Sequence, residues 1–257
     1  MKTNENKEAV IRDWLTKTGF PLELRVAREA RRSRAHWVEQ SRGFVDPETE
    51  KVRETDVVVG LGPERSTQAN VVVVAECKAK PVPFIVFDDG GLLTDDARRR
   101  MTWAVSAAPR NEYGDGLYLR LKERAFTGGT LLGPSLVGFG IVAKEDRQKG
   151  QERNSAWDAV RSAVSAAHGL GPEFDSKTIE NGDSPLLIFP VVVTTGELMR
   201  AYLSGDDLTV ESVDRAEVLV RTAAQQTQVR CFVIRESAWP QLLREAQATT
   251  ELFDVED

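Results

Sequence analysis

Histidine and cysteine are scarce in this sequence, which has two of each among 257 residues. His36 and His168 stand far apart, so almost nothing supports a zinc site built on paired histidines. A Ser-His-Asp triad would depend on one of these two residues, and no Gly-x-Ser-x-Gly turn is present. Cys77 and Cys231 form no spaced cluster and are typical of buried free thiols. Because Walker and Rossmann glycine motifs are also missing, any chemistry must depend on carboxylates and lysine.

Long hydrophobic runs and a surplus of basic charge are missing as well. The longest apolar run, 185–193, is shorter than the ~20 residues that a membrane helix needs. Residues 1–8 are polar and lack the apolar stretch of a secretory signal, so we expect a cytoplasmic protein without a membrane partner. The 34 basic and 40 acidic side chains give a net charge of -6. Nucleic acid would therefore have to bind at a local basic patch.

The apolar spacing predicts an α/β protein, with one large domain or a core domain that carries an insertion. A helix is predicted over 7–18, followed by a strand over 22–26 and a hairpin with strands at 36–45 and 52–59. The run 71–77 is continuously apolar and β-branched, which is typical of a central strand covered on both faces. Further along, the predicted strands are 83–87, 136–143, 186–193, 217–222 and 229–234, and the predicted helices are 98–106, 156–167 (ended by Gly169) and 239–248.

Three charged side chains interrupt two of these apolar strands. Glu76 and Lys78 end the buried run, and strand alternation points them to one face and Cys77 to the other. Asp56 interrupts a run of valines, where packing gives no reason for a charge. The loop lengths allow the two strands to pair, which would set Asp56 beside Glu76. The alternative is a salt-bridged strand end without a catalytic role, with Asp56 capping a turn or pairing with Arg53.

Two carboxylates on neighbouring strands make an oxygen-rich site for a hard cation, so we expect Asp56 and Glu76 to bind Mg²⁺ or Mn²⁺. Such a cation clamps a phosphate oxygen and lowers the pKa of a bound water. Lys78 could orient that water or stabilise the charge that develops on the phosphate. Glu8, on the first predicted helix, is a fourth catalytic candidate, although it could equally stabilise a helix N-terminus. Glu23, on the predicted strand that follows, is an alternative for the role of Glu8.

This arrangement resembles the PD-(D/E)xK, or restriction-endonuclease-like, nuclease superfamily. Asp56 is followed after nineteen residues by Glu76-x-Lys78 on an apolar strand, as in the active-site hairpin of that superfamily. Glu8 ahead of Gly19-Phe20 is similar to the helix glutamate of the Mrr and archaeal Holliday-junction resolvase branch. No proline precedes Asp56, which departs from the full motif. The resemblance implies a restriction-endonuclease-like α/β core, in which a central mixed sheet is flanked by helices.

The same resemblance implies a division of the chain and a function. Residues 1–87 and 151–195 would form the nuclease core, 88–150 an insertion, and 196–257 a C-terminal α/β extension packed on the core. The implied activity is metal-dependent hydrolysis of phosphodiesters, with DNA favoured over RNA, in restriction, phage defence or repair. Because many members of this fold dimerise, the resemblance also suggests a homodimer.

A local basic patch is available for a nucleic-acid substrate. Arginine forks suit phosphate oxygens, and four arginines lie close together in the sequence: Arg28, Arg31, Arg32 and Arg34. The alternative is a solvated hairpin edge, where charge prevents aggregation. The run 98–100 is a second, weaker basic candidate.

Two further functions remain open on the sequence. The chain could be a binding or scaffold protein that keeps the nuclease fold without activity, although two acids and a lysine at one spot argue against this. It could also be an RNase, or a toxin component that acts with a partner protein of a multi-gene system.

Overall fold

The computed structural model describes residues 2–16, 18–62, 69–88, 129–133, 135–144, 154–181, 187–221 and 228–253. The protein is an α/β fold with two sheets and four described helices. In chain order the elements are α1 (Lys2–Thr16), α2 (Phe20–Arg32), β1 (Trp37–Val45), β2 (Val52–Leu61), β3 (Val71–Lys78), β4 (Phe84–Phe87), β5 (Val137–Gly138), β6 (Gly140–Ala143), α3 (Ser155–Asn181), β7 (Leu187–Thr194), β8 (Leu198–Ser204), β9 (Asp207–Ser212), β10 (Arg215–Arg221), β11 (Gln228–Arg235) and α4 (Trp239–Thr250), with 3₁₀ turns at Glu236–Ala238 and Glu251–Phe253.

The main sheet is mixed and has seven strands in the order β1-β2-β3-β7-β11-β10-β5. β1, β2 and β3 form an antiparallel meander, and β3, β7 and β11 then run parallel to one another. β3 and β7 are covered on both faces, which is why both read as continuous apolar runs in the sequence. The prediction that 71–77 is a central strand is confirmed.

Helices cover both faces of this sheet. Val73 and Ala75 of β3 point to α2 and α4, whereas Val72 and Val74 point to α3. Because successive side chains of a strand alternate, Glu76 and Lys78 leave the sheet on the α3 face. That face therefore holds the charged end of β3.

A second sheet of four strands, β6-β4-β8-β9, packs against α3 and the adjoining part of the main sheet. It was not recognised in the sequence, where 83–87 and 136–143 were the only hints of it. The segment 196–257, predicted as an extension packed on the core, supplies β8 and β9 to this sheet. The same segment supplies β10 and β11 to the main sheet.

Three local predictions are wrong. The expected strand over 22–26 belongs to α2, which begins with Pro21 in its first turn; the arginines that follow therefore lie on a helix and not on a hairpin edge. Helix α3 does not end at Gly169 but continues to Asn181. The glycine instead allows the helix to approach β1 closely. A Cβ there would lie 2.5 Å from the carbonyl oxygen of Val45. The predicted strand over 136–143 is two strands in different sheets, β5 and β6, and the predicted helix over 98–106 and the basic run 98–100 lie outside the described residues.

Candidate active site at the end of β3

The ion pair of Glu76 with Lys78 forms the centre of the candidate site. Strand alternation brings the two side chains to the same face, and Lys78 Nζ donates to Glu76 Oε1 over 2.6 Å. The Glu76 side chain is 11% exposed and that of Lys78 is 30% exposed. Cys77, between them, points into the apolar core under α2 and α4. Burial raises the pKa of the Cys77 thiol, which makes it a poor nucleophile.

Asp56 is held at the same level of the sheet by an unusual contact. The backbone ladder between β2 and β3 ends at the pair of Val57 with Ala75. At the next step Asp56 Oδ2 accepts a hydrogen bond from the backbone N–H of Cys77 over 2.6 Å. The carboxylate thus lies at the backbone of β3 directly beside Glu76, as the pairing of the two strands predicted.

Burial makes both carboxylates hard to ionise, and for Glu76 the charge of Asp56 adds to the effect. Burial raises the pKa of Asp56, against the lowering effects of the Cys77 N–H and of Lys78. Burial also raises the pKa of Glu76, and the negative charge of Asp56 raises it further, while Lys78 opposes both effects. The ammonium of Lys78 therefore compensates only part of the negative charge that the strands bring together.

Glu23 adds a third carboxylate to this group. It lies in the first turn of α2, on the same side of the helix as the core residues Val26 and Ala27. Burial raises the pKa of Glu23, and the charges of Asp56 and Glu76 raise it further. Glu23 is thus within electrostatic range of the pair on β2 and β3, although it approaches from the α2 side of the sheet.

Glu8 is not brought to this group. It is exposed on α1, where it lines a shallow hollow with Arg12 and Asp13 of the same helix. α1 packs against α2, which separates it from the sheet. The helix that approaches the site is the second one, so the carboxylate with access to Asp56 is the one proposed as an alternative, Glu23.

The four predicted phosphate-binding arginines lie on and just after the last turns of α2. Arg28, Arg31, Arg32 and Arg34 are all exposed. The guanidinium of Arg31 donates to the side chain of Gln40 over 2.9 Å. Since α2 covers the face of the sheet opposite to α3, the structure does not bring this patch into the same cleft as Glu76 and Lys78. Its role in nucleic-acid binding stays a prediction.

A cleft of about 610 Å³ opens over Glu76 and Lys78. One wall is the turn between β1 and β2, and the other is the first half of α3. This cleft was missed because α3 looked like an alanine-rich core helix. The missed signal is a polar stripe at helical spacing on α3, composed of Ser155, Asp158, Arg161, Ser162, Ser165 and His168.

Asp46 organises the turn that forms the first wall. Its carboxylate accepts hydrogen bonds from the backbone N–H groups of Glu48 and Thr49, over 2.9 and 3.1 Å, and from the guanidinium of Arg53 over 2.8 Å. Burial alone would raise the pKa of Asp46, but these hydrogen bonds lower it to about 2. The wall beside Glu76 is therefore a fixed turn.

The donor set suits one kind of metal site and not another. Among the described residues, no three acid, cysteine or histidine side chains are arranged to hold a metal ion by themselves. Mg²⁺ commonly takes only one or two carboxylates and completes its shell with water and substrate phosphates. The paired carboxylates of Asp56 and Glu76, each destabilised as an anion, fit a cation of this second kind.

Fold and site together define an α/β protein with a partly buried cluster of acids and one lysine at the end of a central strand. No protein-family model, curated protein or solved structure matches the chain. None of the described helices is long and apolar enough to cross a membrane.

Proposed function

We propose that this protein is a metal-dependent nuclease that hydrolyses phosphodiester bonds at the end of β3. The observation that carries the proposal is the convergence of Asp56, Glu76 and Lys78 from neighbouring strands, beside a cleft wide enough for a nucleotide. A structural ion pair needs equal and opposite charges. Here a buried carboxylate, Glu76, and a partly buried one, Asp56, share one ammonium. Arg53 also acts on Glu76 but is already paired with Asp46, so negative charge is left for a cation to compensate.

Asp56 and Glu76 would hold Mg²⁺ or Mn²⁺. When bound, such an ion polarises a phosphate oxygen and makes a coordinated water more acidic. The Cys77 N–H fixes one oxygen of Asp56. Within the described ranges the other oxygen accepts no hydrogen bond, so it could bind the ion. Lys78, only 30% exposed, is placed to orient the attacking water or to stabilise the charge that develops on the phosphate.

The order of elements supports a restriction-endonuclease-like core. α2 is followed by the meander β1, β2 and β3, which carries the acids, and then by α3 and β7, with β7 parallel to β3. This is the helix, strands, helix and strand order that the sequence resemblance implies. The helix that would supply the additional glutamate is α2, and that glutamate would be Glu23.

A binding or scaffold protein is the main competing function, and one observation favours it. The Glu76–Lys78 pair is already satisfied at 2.6 Å, as it would be in a purely structural strand end. Binding of a divalent cation separates the two functions, because an ion that binds only the folded state stabilises it by mass action.

The test combines melting temperature with cleavage. We expect Mg²⁺ or Mn²⁺ to raise the Tm of the wild type by several degrees, because an ion at ~100 times its Kd adds about 2.7 kcal/mol to the free energy of unfolding. Glu76→Gln should show no such rise. Plasmid, linear duplex, single strands and RNA incubated with the wild type and Mn²⁺ should reveal which polymer is cut. No metal-dependent Tm shift and no cleavage of any polymer would leave the scaffold function standing.

A further inference from the structure

The cleft over Glu76 and Lys78 is small and lies between two walls. Its volume of about 610 Å³ falls within the ~300–1,000 Å³ of sites that enclose a single small molecule. Such a space takes one or two nucleotides, and it is bounded on opposite sides by the β1–β2 turn and by α3. Within the described part of the chain, Glu76 lies at the cleft between these two walls.

Ion pairs join the two walls directly. The guanidinium of Arg161 on α3 lies 3.1 Å from the carboxylate of Glu48 in the turn. Further along α3, Glu173 accepts from Arg42 of β1 at 2.6 Å. The major groove of a duplex alone is about 12 Å wide, which is more than walls joined at side-chain distance can admit. Because Asp46 fixes the turn, opening one ion pair does not move the wall.

The Arg161–Glu48 pair can nevertheless give way to a phosphate. Its side chains are 57% and 28% exposed, and exposed pairs of this kind contribute only ~0–1 kcal/mol. A guanidinium bound to a phosphate makes a stronger, two-pronged contact. Four basic side chains line the cleft, Arg53 and Lys80 among them, beside four acidic ones, so the phosphates of a strand have basic partners within reach.

We propose that this cleft takes an unpaired strand, one or two nucleotides at a time, and that Arg161 leaves Glu48 to hold the phosphate next to the one that is cut. This inference rests on the proposed nuclease function, which it narrows to single strands, tails and frayed ends. Unpaired DNA and unpaired RNA share the chemistry that the cleft recognises.

The first experiment compares matched substrates of one sequence: a single strand, the blunt duplex, and the duplex with an unpaired tail, each as DNA and as RNA, with Mn²⁺. We expect the single strand and the tail to be cut at least about tenfold faster than the blunt duplex. Equal rates on the blunt duplex would overturn the inference and leave the nuclease function intact. If nothing is cut, the nuclease function fails, and strand binding is then measured by fluorescence anisotropy with labelled strands in Ca²⁺. Tighter binding of the single strand would support the inference about the cleft. Equal or tighter binding of the duplex would overturn it.

The second experiment tests Arg161→Ala against Arg221→Ala, an exposed arginine at the end of β10. We expect Arg161→Ala to weaken single-strand binding about tenfold and to make its salt dependence shallower by about 0.7 in log–log slope, the value for one phosphate contact. In cleavage, KM should rise with little change in kcat, because Arg161 positions the strand and does not touch the reacting atoms. Identical behaviour of the two variants would overturn the role of Arg161. Both should melt like the wild type, since both side chains are exposed.

Discussion

Two clusters of buried charge lie on the same seven-stranded sheet, and they are built differently. At the β10 side, the carboxylate of Glu217 forms ion pairs with the guanidinium groups of Arg230 and Arg215, at 2.7 and 2.9 Å. Arg215 also pairs with Glu245 of α4, and the hydroxyl of Ser135 donates to Glu217 over 2.8 Å. Two arginines thus meet two glutamates, with added hydrogen bonds, and Arg230 and Glu217 are almost completely buried.

The cluster at the end of β3 has no such balance. Among the described residues, the carboxylates of Glu23, Asp56 and Glu76 lie within electrostatic range of the ammonium of Lys78, and the pKa of each of the three is raised by burial. Arg53 also acts on Glu76, but its guanidinium is already paired with Asp46. A buried charge network that only supports a fold is balanced in charge within itself, as it is around Glu217. In our proposal a cation from outside would stabilise the unbalanced cluster, and that difference is why we place chemistry at β3 and structure at β10.

The largest expected effect separates the clusters by activity. Glu76→Gln removes a metal-binding charge while keeping the shape of the side chain, so cleavage should fall by about 10²–10⁴-fold. The fold should be kept or slightly stabilised, because the repulsion from Asp56 is relieved. Single-turnover rates with Mn²⁺, together with melting curves, measure both. Activity close to that of the wild type would remove Glu76 from the site and make the two clusters equivalent.

The second effect separates them by stability. Glu217→Ala leaves Arg230 buried without its carboxylate, and breaking a buried pair in this way is worth about 3–5 kcal/mol of unfolding free energy. Urea unfolding of the variant and of the wild type measures the loss. The specific activity of the remaining folded protein should be unchanged. A loss below about 1 kcal/mol would mean that the network at β10 is not structural.

Opposite pH dependences are the third expected effect. Asp46 has a lowered pKa, so its stabilisation is present above its ordinary value of 3.8 and is lost as pH falls through about 2. Asp46→Asn should therefore destabilise the protein at pH 7 by about 2 kcal/mol, with the gap closing towards pH 2. Asp56 has a raised pKa, so the fold loses stability as pH rises from 3.8 through that pKa. Asp56→Asn should accordingly stabilise the protein at pH 7, and a pH series of unfolding curves that gave both variants the same sign would contradict this account.

The strands that carry the site could be predicted from the sequence, whereas the helix beside it could not. β-Branched runs identify β2 and β3, because a strand covered on both faces shows a continuous apolar run and not an alternation of apolar and polar residues. In α2 the apolar residues Leu22 and Val26 are four apart, a spacing that fits both a strand and a helix. Ala30 continues the helical period, but the arginines around it looked like a loop. Because of that ambiguity Glu23 was predicted on a strand, whereas it lies in the first turn of α2.

The contacts between the two cleft walls could not be predicted from the sequence either. Asp46 and Arg53 lie at the two ends of one hairpin turn and pair with each other, but Arg161, the partner of Glu48 in that turn, lies on α3 and is more than a hundred residues away. Such contacts depend on where α3 crosses the sheet, and that position is set by the close approach at Gly169. A glycine within a helix predicts an end as readily as a contact.

The smallest expected effect concerns the third carboxylate of the unbalanced cluster. Glu23→Gln removes a charge that acts on Asp56 and Glu76 from the α2 side. It should lower the cleavage rate about tenfold, as removal of a residue that supports metal ligands does. Glu8→Gln is the matched control, because Glu8 is exposed on α1 and should leave the rate within about twofold. Titrating Mn²⁺ against the rate of each variant should show a weaker apparent metal affinity for Glu23→Gln alone. The reverse result, with Glu8→Gln impaired and Glu23→Gln normal, would mean that the first helix supplies the additional glutamate after all, and the cluster at β3 would then lack its third acid.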